Sequence, residues 1–329
     1  MTPSTEPSLD GRAPQHRVPD FFIVGHPKSG TTALYEMLRR HPQIYMPDQK
    51  EPWFFATELL GGTPRTSAGI PKTLEEYLAL FDAASPDQRV GEASALYLWS
   101  PTAPGRIAEA QPAARIIAVL REPASFLYSL HLQFVQVCIE TEKNLRKAIA
   151  LEDARRQGRN VPRYSYLPQV LLYSDHVRYV EQLRRYHALF PPEHVLVLIY
   201  DDFRRDNEGT VRTVLRFLDV DETQPVQTLD ANPTVRVRSQ RFNELVHALF
   251  IGRGPVSGAL KGGIKALTPG QLRRDALEAT QRRLVFGQAR PPDEGVMLEL
   301  RRRFKPEVVA LSEYLDRDLV SLWGYDDVG

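Results

Sequence analysis

The sequence predicts an α/β fold, a parallel sheet with helices on both faces, and three observations predict it. Three short, continuously apolar runs have the length of buried strands: Phe21-Phe22-Ile23-Val24, Ile116-Ile117-Ala118-Val119-Leu120 and Val195-Leu196-Val197-Leu198-Ile199-Tyr200. Each run ends at a loop or turn residue, and stretches with helical spacing separate them. With 329 residues, 42% hydrophobic and 25% charged, the chain can bury one large core of this kind.

Residues 1–19, with prolines at 3, 7, 14 and 19 and no periodicity, read as a flexible leader, so the folded domain is expected over 20–329. The first run ends in Gly25-His26-Pro27-Lys28-Ser29-Gly30-Thr31-Thr32, after which Leu34, Met37 and Leu38 recur at helical spacing as far as His41-Pro42. The second run ends at Arg121, and Pro123 suits the first turn of a following helix. A helix from about Gln169 to Leu189 leads to the third run, which lies between Pro191-Pro192 and Asp201-Asp202. Residues 251–297 turn to Gly, Pro and Arg with interrupted apolar spacing, which suits a lid or an acceptor-binding segment. A last amphipathic helix is expected from about Glu307 to Trp323, with Arg301-Arg302-Arg303 on a solvated face. In such a fold ligands bind at the carboxyl ends of the strands.

Composition excludes several functions. A formal net charge of +1 provides no field that would gather nucleic acid, so any anion site must be local. No run approaches the roughly 20 apolar residues of a membrane span, and the N-terminus lacks the apolar stretch of a signal peptide. A cytoplasmic protein without a membrane partner is therefore expected. Cys138 is the only cysteine, which leaves no internal disulfide and no cysteine-based zinc cluster; it reads as structural, and no metal is expected.

The loop after the first run is P-loop-like. A glycine-bearing loop between a buried strand and a helix exposes backbone N–H groups, and the helix N-terminus adds partial positive charge, so an anion is favoured there. In an NTP-binding loop the lysine follows the second glycine and reaches the β- and γ-phosphates. Thr31 holds that position here, and the lysine has moved inside the loop as Lys28, near the first phosphate.

His26-Pro27-Lys28-Ser29-Gly30-Thr31-Thr32 after an apolar strand resembles the 5'-phosphosulfate loop of the sulfotransferases that use 3'-phosphoadenosine-5'-phosphosulfate (PAPS). The resemblance implies that Lys28 bonds the bridging oxygen of the leaving phosphate and that Ser29, Gly30, Thr31 and Thr32 bind phosphate. Arg121-Glu122-Pro123, with Ser129 eight residues after Arg121, resembles the family's second element, in which an arginine and a helix serine grip the cofactor's 3'-phosphate. Physically, an arginine offers a planar fork to phosphate oxygens, and a hydroxyl two turns along the next helix adds a donor. A surface ion pair of Arg121 with Glu122 is the plainer alternative.

Lys50-Glu51-Pro52-Trp53-Phe54-Phe55 resembles the segment Lys-Glu-x-x-Phe-Phe of heparan-sulfate-type and many bacterial sulfotransferases, which implies that Glu51 is the general base. In-line attack on sulfur requires the acceptor hydroxyl to lose its proton, and a positioned carboxylate can take it. Cytosolic aryl and steroid enzymes of the family use a histidine between the two phosphate elements, but Gly91-Glu92-Ala93-Ser94-Ala95-Leu96-Tyr97 contains none. That stretch looks more like the carbohydrate-enzyme segment Glu-Lys-Thr-Pro-x-Tyr, with Ala93 for its lysine and Ala95 for its proline. These departures, with Trp53 where heparan enzymes carry histidine, point from a polysaccharide towards a smaller hydroxylated acceptor, a small molecule or carbohydrate.

His26, His41 and His131 are fallback bases that read more readily as structural. Tyr173 falls where the family often has an aromatic near the cofactor, although a core tyrosine fits as well. Arg236, Arg238 and Ser239 suit a segment closing over a phosphate, or solvated surface. Two rival functions remain: a nucleotide kinase or NTPase with magnesium at Asp201-Asp202, and a binding module without catalysis.

Overall fold

The computed structural model of the chain describes residues 17–60, 70–162, 165, 167–227, 235–237, 286–288 and 291–329. Five strands form one sheet: β1 (Phe21–Gly25), β2 (Ile44–Tyr45), β3 (Arg89–Ala93), β4 (Arg115–Leu120) and β5 (Val195–Ile199). Their spatial order is β2-β3-β1-β4-β5, and all four neighbouring pairs are parallel. The chain builds outward from β1 on one side through β3 and β2 and on the other through β4 and β5. The order therefore reverses at β1, and its carboxyl end is the crevice where such sheets bind ligands.

Helices cover both faces, as the uninterrupted apolar runs predict. In chain order they are α1 (Thr31–Leu38), α2 (Leu74–Leu78), α3 (Ala103–Ala110), α4 (Pro123–Gln136), α5 (Leu145–Ala150), α6 (Glu152–Arg156), α7 (Tyr173–His176), α8 (Tyr179–His187), α9 (Tyr200–Arg205), α10 (Asn207–Phe217), α11 (Glu294–Tyr314) and α12 (Leu319–Leu322). Alternate strand residues enter different cores. Phe22, Val24, Ile116, Ala118 and Leu120 pack under α3, α4, α8 and α11, while Phe21, Ile23, Ile117 and Val119 pack under α1 and α10. A polar substitution anywhere along β1 would thus reach one core or the other. No helix among the described residues is long and apolar enough to cross a membrane.

Several elements differ from the expected ones. β3 is a central strand that no apolar run marks, since its sequence is Arg-Val-Gly-Glu-Ala. Packing fixes that composition: a Cβ at Gly91 would lie 2.1 Å from Cζ of Phe21 and 2.4 Å from Sδ of Met46. The helix expected over Gln169 to Leu189 is broken into a 3-10 turn at Pro168–Leu171, then α7, then α8. The break survives because Gln182 Nε2 donates to the carbonyls of Asp175 (3.0 Å) and His176 (3.2 Å), groups left open where α7 stops. The last helix starts at Glu294 rather than Glu307 and carries Pro306 inside it. Its charged first half hides an apolar stripe of Leu300, Phe304, Val308 and Leu311.

Arg303 is exposed, yet it reaches Glu152 and Ser174, so the arginine run is not simply solvated. At the other end, Arg17 already donates to the carbonyls of Ser85 and Gln88, three residues before the expected start of the fold. Most of the expected 251–297 segment, and residues 1–16, lie outside the described residues. The described parts of 251–297 are β7 (Phe286–Gln288), antiparallel to β6 (Val235–Val237), and the start of α11.

Candidate active site

The loop after β1 is shaped by two left-handed residues, Lys28 at φ 62° and Gly30 at φ 86°. Only glycine suits position 30, because a Cβ there would also press within 3.0 Å of the Phe203 ring and 3.2 Å of the Tyr200 ring. At Lys28 the same backbone costs about 1 to 2 kcal/mol. It is held by Arg121, whose Nη1 donates to the Lys28 carbonyl at 2.9 Å across the sheet. The loop opens into α1, whose first turn has neither a capping side chain nor an acidic residue. Its leading N–H groups therefore keep their capacity for an anion. The Ser29 hydroxyl is fully buried and has no hydrogen-bond partner among the described residues. Burial, with Arg121 close by, holds the Lys28 ammonium below the usual lysine range.

Arg121, at the end of β4, lies with its guanidinium carbon 4.9 Å from the centre of the Tyr200 ring. Glu122 does not pair with it. That carboxylate turns the other way and caps α4, accepting from the amides of Ala124 and Ser125 and from the hydroxyl of Tyr325. Among the described residues neither Lys28 nor Arg121 has a carboxylate partner. Ser129, about two turns along α4, lies on the same stripe as Gln133 and Gln136.

Glu51 reaches the crevice from the far side, past the end of β3. Its backbone is left-handed at φ 60°, and so is that of Trp53 at φ 51°. Such strain persists only where the surroundings over-determine it, and functional sites collect it. Here the surroundings are the stretch from Ala93 to Tyr97. The Glu51 amide donates to the Ala93 carbonyl at 3.0 Å, the Trp53 amide to Ser94 Oγ at 3.2 Å, and the Phe55 amide to the Tyr97 hydroxyl at 3.2 Å. The carboxylate accepts three hydrogen bonds: Oε2 from the Ala95 amide and the Trp53 indole, both at 2.9 Å, and Oε1 from Lys50 Nζ at 2.6 Å.

Lys28, Gly30, Thr31, Thr32, Glu51, Arg121 and Ser129 line one cleft of about 300 Å³ at the carboxyl ends of β1, β3 and β4. Ser29 sits behind the loop, outside the lining. The fallback histidines lie elsewhere. His26 is buried against Phe126 and Tyr179 with Nε2 2.6 Å from Gln182 Oε1, and burial pulls its pKa down to about 3. His131 is buried, lowered for the same reason, and spans Tyr173 and the Lys143 carbonyl. His41 bridges the Asp221 carbonyl and the Gln43 amide. Tyr173 is a core residue whose hydroxyl donates to Glu140. Asp201 accepts from the Trp323 indole, and Asp202 pairs with Arg317 and Arg205, so neither carboxylate is held open for a metal. Arg236 lies on β6, a strand packed against α4, while Arg238 and Ser239 fall outside the described residues.

Four cleft residues with polar side-chain groups were not singled out from sequence as site residues. Lys50, Gln133 and Gln136 carry signals only in hindsight, as the neighbour of Glu51 and as polar positions four and seven residues after Ser129. Tyr200 was legible as the aromatic that ends the third strand run. Glu92, fully buried on β3 behind Glu51, was also passed over. Burial pushes its pKa up to about 7, partly offset by the hydroxyls of Ser94, Tyr97 and Tyr77, the last donating to Oε2 at 3.1 Å. It backs Ser94 and Tyr97, the two side chains that hold the Glu51 segment.

Among the described residues, basic groups without a carboxylate partner, an uncapped helix start and a carboxylate gather around the switch point of a parallel sheet, an α/β arrangement suited to an anionic ligand. Residues 19–225 match the model of the sulfotransferase family, and the chain belongs to that family. A solved sulfotransferase from Alicyclobacillus acidocaldarius is similar to it, with a TM-score of 0.63 and 26% identity, covering 93% of this chain and 99% of that one. Carbohydrate sulfotransferase 15 of Mus musculus is 33% identical over 154 residues, which are 36% of this chain and 27% of that protein. The bifunctional heparan sulfate N-deacetylase/N-sulfotransferase 4 of Mus musculus is 33% identical over 114 residues, 34% of this chain and 12% of that protein. The chain thus spans about a quarter or less of the length of these curated relatives.

Proposed function

We propose that this chain transfers the sulfuryl group of PAPS to a hydroxyl of a small-molecule or carbohydrate acceptor. The observation that carries the reading is that Lys28 and Arg121, which have no carboxylate partner among the described residues, line one cleft with Glu51. Two features fit a nucleotide that carries phosphates: the uncapped start of α1, and Arg121 and Ser129 on the β4–α4 side of the same cleft. PAPS, when bound, supplies a sulfuryl group on a phosphate leaving group. Ser29, Gly30, Thr31 and Thr32 bind the 5' end, and Arg121 and Ser129 bind the 3'-phosphate. Lys28 meets the charge that develops on the bridging oxygen, and Glu51 takes the acceptor's proton.

A carbohydrate acceptor is supported by the names of the curated relatives, a carbohydrate and a heparan sulfate enzyme. Gln133 and Gln136, which line the cleft, carry amide groups of the kind that suits a polyol. The test is transfer of label from sulfur-labelled PAPS to a panel of mono- and oligosaccharides and phenols, followed chromatographically. Labelled sugar esters are the expected product. Label that moves from ATP but never from PAPS would transfer the site to the kinase reading.

A further inference from the structure

Glu51 has one oxygen to offer an acceptor. Oε2 already accepts from the Trp53 indole and the Ala95 amide, so a hydroxyl has to meet Oε1. That oxygen is held by Lys50 Nζ at 2.6 Å, and both side chains line the cleft at 19% and 28% exposure. A carboxylate oxygen has room for two donors, but an ammonium at that distance opposes the arrival of a proton on the same atom. Where it stands, Lys50 therefore blocks the step that Glu51 is placed to perform.

The same lysine has somewhere else to go. Its flexible four-carbon stem and its place on the cleft wall let Nζ reach other positions in the cleft. The transferring group would lie between Lys28 and Glu51 with one negative charge spread over three oxygens. The carboxyl end of β3 and the turn after it supply no cation to meet them, because Ala93 and Ala95 are buried alanines. Resting on the PAPS reading, we infer that Lys50 is a further catalytic residue. It is the counter-ion of Glu51 in the geometry described and moves onto the sulfuryl oxygens when the donor is seated.

The exchange unmasks Oε1 only when there is a sulfuryl group to transfer. The acceptor oxygen then forms its bond to sulfur as the bond from sulfur to the bridging oxygen breaks. The bridging oxygen keeps the electron pair beside Lys28, the hydroxyl proton passes to Glu51 Oε1, and the sulfuryl oxygens keep their charge beside Lys50 throughout. The base is thereby tied to donor occupancy, and the donor has to bind before the acceptor can react.

PAPS and adenosine 3',5'-bisphosphate differ only in the sulfuryl group, so their affinities read Lys50 directly. Calorimetry without acceptor is run on the unaltered protein, Lys50→Met and Lys50→Arg. Lys50→Met is expected to weaken PAPS binding about tenfold, the usual worth of a charge-assisted hydrogen bond, and to leave the bisphosphate unchanged. Lys50→Arg is expected to keep most of the PAPS affinity. Equal losses on both nucleotides, or no loss on either, in Lys50→Met would overturn the inference, since a lysine that only steadies Glu51 makes no distinction between them. An unaltered protein that binds neither nucleotide would instead overturn the donor reading on which the inference rests.

Discussion

Replacing Glu51 with glutamine is expected to lower turnover by roughly two to four orders of magnitude, the usual contribution of general-base catalysis, with affinity for adenosine 3',5'-bisphosphate unchanged. The substitution suits the site. The glutamine carbonyl oxygen takes the place of Oε2 and accepts from Ala95 and Trp53, so two of the three contacts that orient the side chain survive. The amide then faces Lys50 and cannot accept a proton. Steady-state turnover with saturating PAPS, alongside calorimetry with the bisphosphate, separates the two effects. Near-normal turnover would remove Glu51 from the mechanism. The histidines would be poor replacements, because His26 and His131 are buried and made weaker bases by that burial, and His41 is bonded on both ring nitrogens.

Lys28→Ala is expected to lower turnover about a hundred- to a thousandfold, the scale of losing one donor to a developing negative charge. Its effect on bisphosphate affinity should be smaller, about tenfold. The lysine's strongest interaction forms as the bridging oxygen gains charge, so the loss falls on the transition state more than on the bound nucleotide. The loop itself should persist. Arg121 bonds the Lys28 carbonyl rather than its side chain, and Gly30 carries the second left-handed turn. A pure affinity loss with unchanged turnover at saturation would reduce Lys28 to ground-state binding.

The cleft was largely legible in the sequence, because its chemistry sits in short loops directly after strands. Lys28 to Thr32 follow β1, Arg121 ends β4, and Ser129 follows two turns into α4. Those relations are local, and apolar runs mark where they begin. Glu51 is different. It reaches the cleft only because its segment is bonded to residues 93–97, and β3, which carries that support, lies beside β1. Nothing in Arg-Val-Gly-Glu-Ala announces a central strand, since the demand of Phe21 and Met46 for space at Gly91 exists only in the folded chain.

The stretch from Gly91 to Tyr97 was read for the histidine it lacks. In the structure it is the frame that holds Glu51, through the Ala93 carbonyl, the Ala95 amide, Ser94 and Tyr97. The same distance in sequence hides how the C-terminal region supports the Arg121 side. Tyr325 bonds Glu122 at the start of α4, and Trp323 bonds Asp201 beside Tyr200, the ring that lies against Arg121. Each of these pairs joins residues more than a hundred positions apart, beyond the reach of periodicity or local motif.

The account stands most directly on Arg121 and Ser129 as readers of a 3'-phosphate, and one binding measurement addresses it. Calorimetry should find adenosine 3',5'-bisphosphate bound roughly ten to a hundred times more tightly than 5'-AMP, because losing a charge-assisted phosphate contact costs about 1.5 to 3 kcal/mol. Equal affinity for the two nucleotides would contradict the assignment of the cleft to PAPS.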